Sequence, residues 1–480
     1  MAADRFDLVV VGAGPGGYVA AARAAQLGMK VSCVERKPRL GGVCLNVGCI
    51  PSKALLDSSE HYWHARTRLS DHGVRVSDVR LDLAELMSRK EKVVEGLTES
   101  VRRLLEGHRV EVFRGSARLA GPQAVEVAGL GGGQTRRLEA AAVLLASGSE
   151  PVELPGLPFD GRLVVSSTEA LSFDSVPKHL VIVGGGYIGL ELGSVYAMLG
   201  SKVTVVEMTS SLLPGVDEDL VGPLSRRLSS VFESILVDSK VARFDDQYDR
   251  VRVVLEGRGI ENPEQDFDRV LVSIGRTPNS QDLGLEHTRV DVDEAGFVRV
   301  DTRLRTSDPS IFAIGDLVGQ PMLAHKASHE GRTAVEVIAG RNVVFEPRAI
   351  PAVVFTDPEI AWCGLTEMEA RKLGRNVEVV RFPWAASGRA MTMERTEGLT
   401  KMLLDPESER VLGVGITGSG AGELISEGVL AVEMGAEATD VKLAIHPHPT
   451  LSETFMEAAE IFFGQSTHVY RPRKRQTPIE

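Results

Sequence analysis

One figure occurs twice in this chain and limits its fold more than any other feature. Leu8-Val-Val-Val-Gly-Ala-Gly-Pro-Gly-Gly-Tyr18 reads as a buried parallel strand that breaks into a glycine turn, and an Ala-rich helix, Tyr18 to Leu27, runs on to Gly28. A second strand, Lys30 to Val34, leads to Glu35. The figure returns at Leu180-Val-Ile-Val-Gly-Gly-Gly-Tyr-Ile-Gly-Leu-Glu-Leu-Gly193, and after the strand Lys202 to Val206 comes Glu207. Both copies place the acid 23 positions after the first glycine. A lone G-x-G-x-x-G is weak evidence, but a strand before it, a helix after it and an acid beyond a second strand meet the context of a dinucleotide site. Gly12 allows the tight turn and Gly14 lets backbone approach a pyrophosphate. The helix N-terminus offers that group N–H donors and a positive dipole, and Glu35 can hold ribose hydroxyls. Gly17 completes the first fingerprint, and Gly184, Gly186 and Gly189 form the second. Chance recurrence at one spacing is improbable, so two different nucleotides are expected to bind.

Between the copies, Leu40-Gly-Gly-Val-Cys-Leu-Asn-Val-Gly-Cys-Ile-Pro-Ser-Lys53 sets Cys44 and Cys49 five residues apart in a Gly-rich turn that runs into a helical segment. We read it as a redox-active disulfide. Two cysteines bridge only when their Cα atoms come within about 7 Å. A regular helix with about 1.5 Å rise holds residues five apart slightly beyond that. Gly41, Gly42 and Gly48 supply the needed backbone freedom, and Pro51 can sit in a first helical turn without wasting a donor. The plainer reading is two buried thiols, or half of a zinc site; zinc asks for tighter spacing and two further ligands, which are not near, so no metal is expected. Cys33, in an apolar strand, and Cys363, beside Trp362, read as core.

At 480 residues the chain should divide into about three domains. With 43% hydrophobic and 25% charged residues and 49 glycines it has the composition of a soluble globular protein. Its net charge of −12 argues against a nucleic-acid partner. Four cysteines are too few for a secreted framework and suit a catalytic pair in a reducing cytosol. Met-Ala-Ala-Asp-Arg leads straight into a strand, Phe6 to Val11, without a charged-then-apolar leader, and no run of 18 apolar residues exists; a cytoplasmic location and no membrane contact are expected. The basic tail Arg471 to Arg475 reads as a solvated end.

The remaining chain shows an amphipathic helix, Leu83 to Leu105, a strand at Val110 to Phe113 and a turn at Gly129 to Gly133. Ile311-Phe-Ala-Ile-Gly-Asp316 is a short apolar strand that ends on a carboxylate, where ligands of α/β sheets bind; an Asp that caps the next element is the equal alternative. From Ile350, strands (Ala352 to Phe355, Thr400 to Leu404, Val411 to Ile416) alternate with helices (Thr366 to Leu373, Glu423 to Met434). In Ile445-His-Pro-His-Pro-Thr-Leu-Ser-Glu453, His448 and Glu453 have a spacing at which a turn into a helix can join imidazole and carboxylate, with His446 a competing candidate.

The motif GGVCLNVGCIPSK resembles the disulfide motif of the flavin-dependent pyridine nucleotide–disulfide oxidoreductases, and matching motifs run from residue 6 to residue 455. The resemblance implies an α/β chain with two Rossmann-like dinucleotide-binding domains, for FAD and NAD, and a C-terminal α+β dimerisation domain. The expected division is 1–149 for the first part of the FAD domain, 150–275 for the NAD domain, 276–348 for the second FAD-binding or central part and 349–480 for dimerisation. It implies FAD contacts from Gly12, Gly14, Gly17, Glu35, Arg36, Gly42, Val43, Cys44, Lys53 and Gly115, and from the crossover residues Ser147, Gly148 and Ser149. Asp316 would contact the ribityl chain, and Met322, Leu323, Ala324 and His325 would line the ring. NAD contacts would come from Gly184, Gly186, Tyr187, Ile188, Gly189, Glu191, Glu207, Val241 and Gly275. A second crossover is expected at Val272 to Asn279, and Lys53 and Glu191 resemble the family's ion pair beside the flavin. Val43 and Ser147 stand where the family pattern has Thr.

The activity implied is oxidation of protein-bound dihydrolipoamide through Cys44 and Cys49, with His448 as base and Glu453 as its orienter. His448 is preferred to His446 because the family's base directly precedes Pro-Thr. NAD is expected rather than NADP, since Glu207 would repel a 2′-phosphate and residues 208–212 contain no arginine. Implied partners are a second copy, as a homodimer, and lipoylated domains of 2-oxoacid dehydrogenase or glycine cleavage systems. A glutathione reductase should carry arginines for NADP, a mercuric reductase a cysteine pair near its C-terminus, and a non-catalytic flavoprotein sensor should lack a thiol or the base. None of these patterns is present.

Overall fold

The structure, a computed structural model, describes residues 4–131 and 133–470, so the basic tail at 471–475 and Gly132 of the glycine turn lie outside the described residues. The described chain divides into two compact units, residues 4–178, 198–200 and 268–346 in the first and 179–197, 201–267 and 347–470 in the second. Among the described residues no helix is long and apolar enough to cross a membrane.

The first unit is built on β1 (Asp4–Val11), α1 (Pro15–Gln26) and β2 (Val31–Glu35). The helix starts three residues earlier than the sequence suggests, because Pro15, with its fixed φ and no N–H to lose, occupies the first turn directly after Gly14. After α2 (Gly42–Val47), α3 (Cys49–Thr67) and α4 (Leu83–Gly107) come β3 (Glu111–Gly121), β4 (Ala124–Gly129) and β5 (Arg136–Leu145). β1 lies parallel to β2 and β5, in register at Val10↔Cys33 and Val10↔Leu144, and β5 also pairs with the strand Ile311–Ala313. β2 continues parallel to β3, while β4 runs antiparallel to β3 and β5. A parallel sheet covered on both faces needs strands that are apolar throughout. Leu8, Val9 and Val10 are fully buried. Cys33 is core, as its strand context implied: burial pushes its thiol up to about 12, where it stays protonated and inert.

In the second unit the strands His179–Val183, Lys202–Val206 and Ser234–Leu236 pair in parallel, with the helix Tyr187–Leu199 after the first, so the repeated sequence figure gives a repeated fold. A three-stranded antiparallel ribbon, Ser239–Asp246, Val251–Gly257 and Glu264–Phe267, follows. The C-terminal part is a five-stranded antiparallel sheet in the order Ala352–Val354, Glu359–Gly364, Val411–Gly418, Leu399–Leu404, Glu378–Pro383. Its helices include Glu367–Leu373, Ala421–Met434 and Glu453–Phe462. Trp384 is fully buried at its centre. A Cβ at Gly398 or Gly418 would stand 2.3 Å from the indole, so only glycine admits the ring there. Cys363 is 1% exposed, and burial pushes its thiol up to about 12.

This unit also encloses a charged cluster. The Lys401 ammonium, 1% exposed, lies 2.7 Å from Asp217, 2.7 Å from Asp219 and 2.9 Å from Glu367 and fills the space between the three carboxylates. Arg381 pairs with Asp219 and Glu367 from the other side. Burial pushes the Asp219 carboxyl up, but hydrogen bonds and charge from Lys401 and Arg381 outweigh it and hold it below its ordinary value. Lys401→Met leaves three nearly buried carboxylates around one arginine. Breaking a buried pair by removing one partner costs about 3–5 kcal/mol. A loss of that size is expected in denaturant unfolding, and a loss under about 1 kcal/mol, the value of a surface pair, would contradict it.

Candidate active site

The two thiols meet across a break in the helix. Cys44 lies in α2 and Cys49 is the first residue of α3, with Gly48 between them at φ −147°, ψ −117°. A Cβ on Gly48 would lie 3.0 Å from the Val43 carbonyl and 3.4 Å from the Cys44 Cα, so the close approach of the two helix ends needs glycine. Gly41 and Gly42 have φ of +98° and +60°, and a Cβ at Gly42 would stand 2.6 Å from the Cα of Gly14. The thiol segment is thereby seated on the first glycine turn. Asn46 Nδ2 ties it down by donating to the Leu40 and Gly42 carbonyls at 3.0 and 2.8 Å. Pro51 occupies the first turn of α3, and Val43 is 40% exposed.

Cys44 is half-buried and Cys49 exposed. A hydrogen bond to Cys49, then burial, then the negative charge Cys49 carries when ionised all push the Cys44 pKa far up. Lys53 and the Cys49 backbone N–H act in the opposite direction and are weaker.

Each glycine turn is closed by its distant acid. Glu35, buried at the end of β2, accepts from Ala13 N at 2.9 Å and Lys37 N at 2.8 Å. Glu207 does the same for Gly185 N at 2.6 Å and Thr209 N at 2.7 Å. Gly12 and Gly184 have φ of +103° and +106°, and a Cβ at Gly17 would collide with the Gly12 carbonyl at 1.9 Å. A Cβ at Gly186 would meet nothing within 4 Å, and one at Gly14 only the Gly42 Cα at 3.9 Å. The turns therefore leave the open approach that a pyrophosphate requires, and the residues present fit nucleotides at both places. Arg36 is exposed and paired with Glu150, and the half-buried Val241 lies on the ribbon strand Ser239–Asp246. A Cβ at Gly115 would meet the Ala128 carbonyl at 2.3 Å, and Gly275 has φ +135°.

Asp316 does not cap a helix with its side chain; its carboxylate accepts from Ser149 Oγ at 2.5 Å, and Arg276 Nε donates to the same hydroxyl at 2.7 Å. The two crossovers pair as short antiparallel strands, Ser149–Pro151 with Arg276–Pro278. Ser147 Oγ donates to the Asn279 carbonyl at 2.8 Å, a bond that the hydroxyl of Thr could also make. Gly148, at φ +73°, turns the chain between them. Beneath Asp316 sits a buried pair that the sequence reading missed. Glu330 accepts from Gly315 N at 2.7 Å and from Lys326 at 2.8 Å; burial pushes its carboxyl up, against the pull of Lys326. Its only signal in sequence is the i,i+4 spacing of Lys326 and Glu330. Met322, Leu323 and Ala324 are half-buried and His325 exposed at the start of the helix Ala324–Ile338.

At the other motif, His448 Nδ1 contacts Glu453 Oε1 at 2.9 Å, and Thr450 N donates to Glu453 Oε2 at 2.8 Å. The imidazole is 78% exposed, with Nε2 directed away from its carboxylate. Glu453 opens the helix Glu453–Phe462, and a chain of hydrogen bonds fixes that opening. Trp384 Nε1 donates to Thr400 Oγ1, Thr400 meets Thr454 Oγ1 at 2.8 Å, and Thr454 donates to the Leu451 carbonyl at 2.7 Å. His446, the competing candidate, is 6% exposed in its side chain and has both ring nitrogens engaged, Nε2 with Glu427 at 2.7 Å and Nδ1 with the Ala444 carbonyl at 2.9 Å. Lys53 lies in α3, and Glu191, buried in the helix Tyr187–Leu199, accepts from Phe355 N at 3.0 Å.

Two nucleotide turns, one of which seats a thiol pair, make this an oxidoreductase that works on sulfur with the help of two nucleotides. The chain belongs to the pyridine nucleotide-disulphide oxidoreductase family: residues 6–331 match the family's main domain and residues 350–459 its dimerisation domain. It is 45% identical to a dihydrolipoyl dehydrogenase of Vibrio cholerae over 96% of this chain and 97% of that protein. It is 46% identical to one of Thermus scotoductus over 97% of this chain and 99% of that protein. Among solved structures it is similar to LpdA of Mycobacterium tuberculosis, with TM-score 0.88, 26% identity and coverage of 95% and 99% of the two chains. The HOCl-induced flavoprotein disulfide reductase RclA of Escherichia coli matches with TM-score 0.83, 27% identity and the same coverage.

Burial pushes the Glu453 carboxyl up, but the Thr450 N–H and His448 outweigh it and hold the pKa below the ordinary 4.5. A depressed carboxylate keeps its contact above the ordinary value and loses it as pH falls through its own lower one. With 13C-glutamate labelling, the Glu453 carboxyl signal is expected to stay that of a carboxylate from pH 7 down to about 4.5 and to titrate only below. A midpoint above 4.5 would contradict the geometry.

Proposed function

We propose that this protein oxidises protein-bound dihydrolipoamide to lipoamide and reduces NAD, with FAD between them. The observation that carries this reading is the contact of Cys44 and Cys49 across the Gly48 break, on a segment seated against the first glycine turn. The names of the relatives at 45–46% identity over nearly the whole chain support it, and the likeness to RclA, at 27%, is weaker.

The first nucleotide site would take FAD, held by the Gly12–Gly17 turn, Glu35 and Asp316. The second would take NAD, with Glu207 on a ribose 2′-hydroxyl. FAD, when bound, would supply the two-electron chemistry that the side chains lack, with NAD as the hydride acceptor. The rest falls to the chain. With Nδ1 held by Glu453, His448 presents Nε2 to take a proton from the dithiol, since the thiolate is the nucleophile. That thiolate attacks Cys44 of the disulfide, and Cys49 leaves as a thiolate. The second substrate sulfur then displaces Cys44, which takes up a proton, in accord with its raised pKa. Lys53 would belong to the FAD-binding residues and Glu191 to the NAD-binding residues. The four-segment division at 149, 275 and 348, a cytoplasmic location and lipoylated partners from 2-oxoacid dehydrogenase or glycine cleavage systems belong to the same proposal.

The site would be shared in a homodimer, His448 and Glu453 of one copy serving Cys44 and Cys49 of the other. The match of residues 350–459 to a dimerisation domain supports this, and a two-fold interface would complete two equivalent sites. The test mixes two variants, Cys44→Ser and His448→Gln, each expected to be inactive with dihydrolipoamide, under conditions that exchange subunits. Recovery approaching one active site per hybrid dimer is expected. No recovery despite verified exchange would place the base beside the disulfide of its own chain, and an inactive parent would remove the proposed activity altogether.

A further inference from the structure

The segment that carries the base is fastened at two ends. Its far end is tied to the helix Glu453–Phe462 through the His448 and Thr450 contacts with Glu453, and Thr450 Oγ1 closes the turn by donating to the Pro447 carbonyl at 2.7 Å. Its near end is tied to a different helix, Ala421–Met434, and the tie is His446. Glu427 on that helix meets His446 Nε2 at 2.7 Å. The Ala444 carbonyl can only accept, which puts a proton on Nδ1 and pins the ring to its own backbone. Within one chain little else restrains the segment: Ile445 is 98% exposed, and Pro447, His448 and Pro449 are exposed as well. Glu427 is the charged group in contact with the His446 ring; of the neighbouring charges, Lys442 donates to Gln465 and Glu453 is occupied by His448 and Thr450. The ring is turned away from solvent while His448, two residues on, is turned out.

We infer that His446 is a positioning residue: through Glu427 it anchors the segment whose other end presents the His448 base. The inference rests on the proposed oxidation of a dithiol and adds to it the residue that determines where the base stands. It accounts for the two histidines of the motif by a division of labour. One imidazole has both nitrogens consumed by structure, and the other has one nitrogen consumed and one available. A base that is oriented by one helix but not held at the near end would swing with its loop. A displacement of about 1 Å in a reacting group can cost as much as about 100-fold.

The test compares His446→Asn, which keeps a donor for the Ala444 carbonyl but falls short of Glu427, with His446→Gln, which reaches Glu427 but gives up the carbonyl. Glu427→Ala and the double variant Glu427→Ala with His446→Asn complete the set. At pH 7, kcat/KM for dihydrolipoamide is expected to fall about tenfold in His446→Asn and in Glu427→Ala. The double variant should fall no further, because both act through one contact, and His446→Gln should stay within about threefold of the parent. Reduction of ferricyanide by NADH, which needs no thiol base, and FAD content should stay within about twofold of the parent throughout. The deficit should shrink toward pH 9.5, because a larger share of the dithiol is then already thiolate and needs no base. Parent-like dithiol turnover in His446→Asn and Glu427→Ala, a deficit equal at both pH values, or an equal loss with ferricyanide would overturn the anchor. A parent that oxidises no dihydrolipoamide would overturn the function beneath it, and that outcome is distinct from the other three.

Discussion

The thiol chemistry of this protein hangs on a single backbone break. Had α2 run on into α3, the thiol of Cys49 would have been carried around the helix and away from Cys44. Gly48 ends one helix and starts the next within a single residue, at a place where a side chain would press on the Val43 carbonyl. The same crowding recurs one turn earlier, where Gly42 backs onto Gly14. These two close approaches bring the segment that carries the thiol pair directly against the nucleotide turn. Pairing also couples the two thiols: the hydrogen bond to Cys49, together with burial, pushes the Cys44 thiol well above its ordinary range.

Elsewhere the chain uses one device repeatedly: a carboxylate that accepts backbone N–H groups to hold a turn in place. Glu35 and Glu207 close the two glycine turns, Glu330 holds the Gly315 peptide beneath Asp316, and Glu453 takes the Thr450 N–H while it orients His448. In each case the acceptor lies in or directly after a strand or helix, and the held group belongs to a turn. Functional loops are positioned in this way without themselves being packed. The cost falls on the acid, which must be desolvated, and Glu330 shows it in a raised pKa, whereas Glu453, nearer solvent and offered more partners, ends below its ordinary value.

Much of this was legible in the sequence because it depends on residue types at short range. Glycine at fixed offsets after an apolar strand, an acid at the end of the next strand, and cysteines spaced by glycines state their backbone demands locally. The helix Leu83–Gly107 and the strands of the second repeat were placed within two residues for the same reason. The start of α1 was misplaced because a glycine turn and a proline-led first turn look alike until φ is known. The Trp384–Thr400–Thr454 chain, the Lys326–Glu330 pair beneath Asp316 and the Lys401 cluster were out of reach. Each depends on which face of a strand or helix turns inward, and that is decided by tertiary packing between segments far apart in sequence. The choice between His446 and His448 lay between these cases. Local sequence left it open, and family resemblance favoured His448. The structure then gave a physical reason by showing that Glu427 and Ala444 leave His446 no nitrogen for a substrate.

On this reading electrons enter through the Cys44–Cys49 pair and reach the nucleotide sites from there. Anaerobic titration of the FAD-loaded protein with dihydrolipoamide, followed in visible absorbance, tests it most directly. The account predicts a long-wavelength thiolate-to-flavin band that grows to one equivalent per site, disappears on addition of NAD as NADH forms, and is absent from Cys49→Ser even though that variant still binds FAD. Bleaching of the flavin by dihydrolipoamide in Cys49→Ser with the same band and rate as in the parent would show that the electrons take another route.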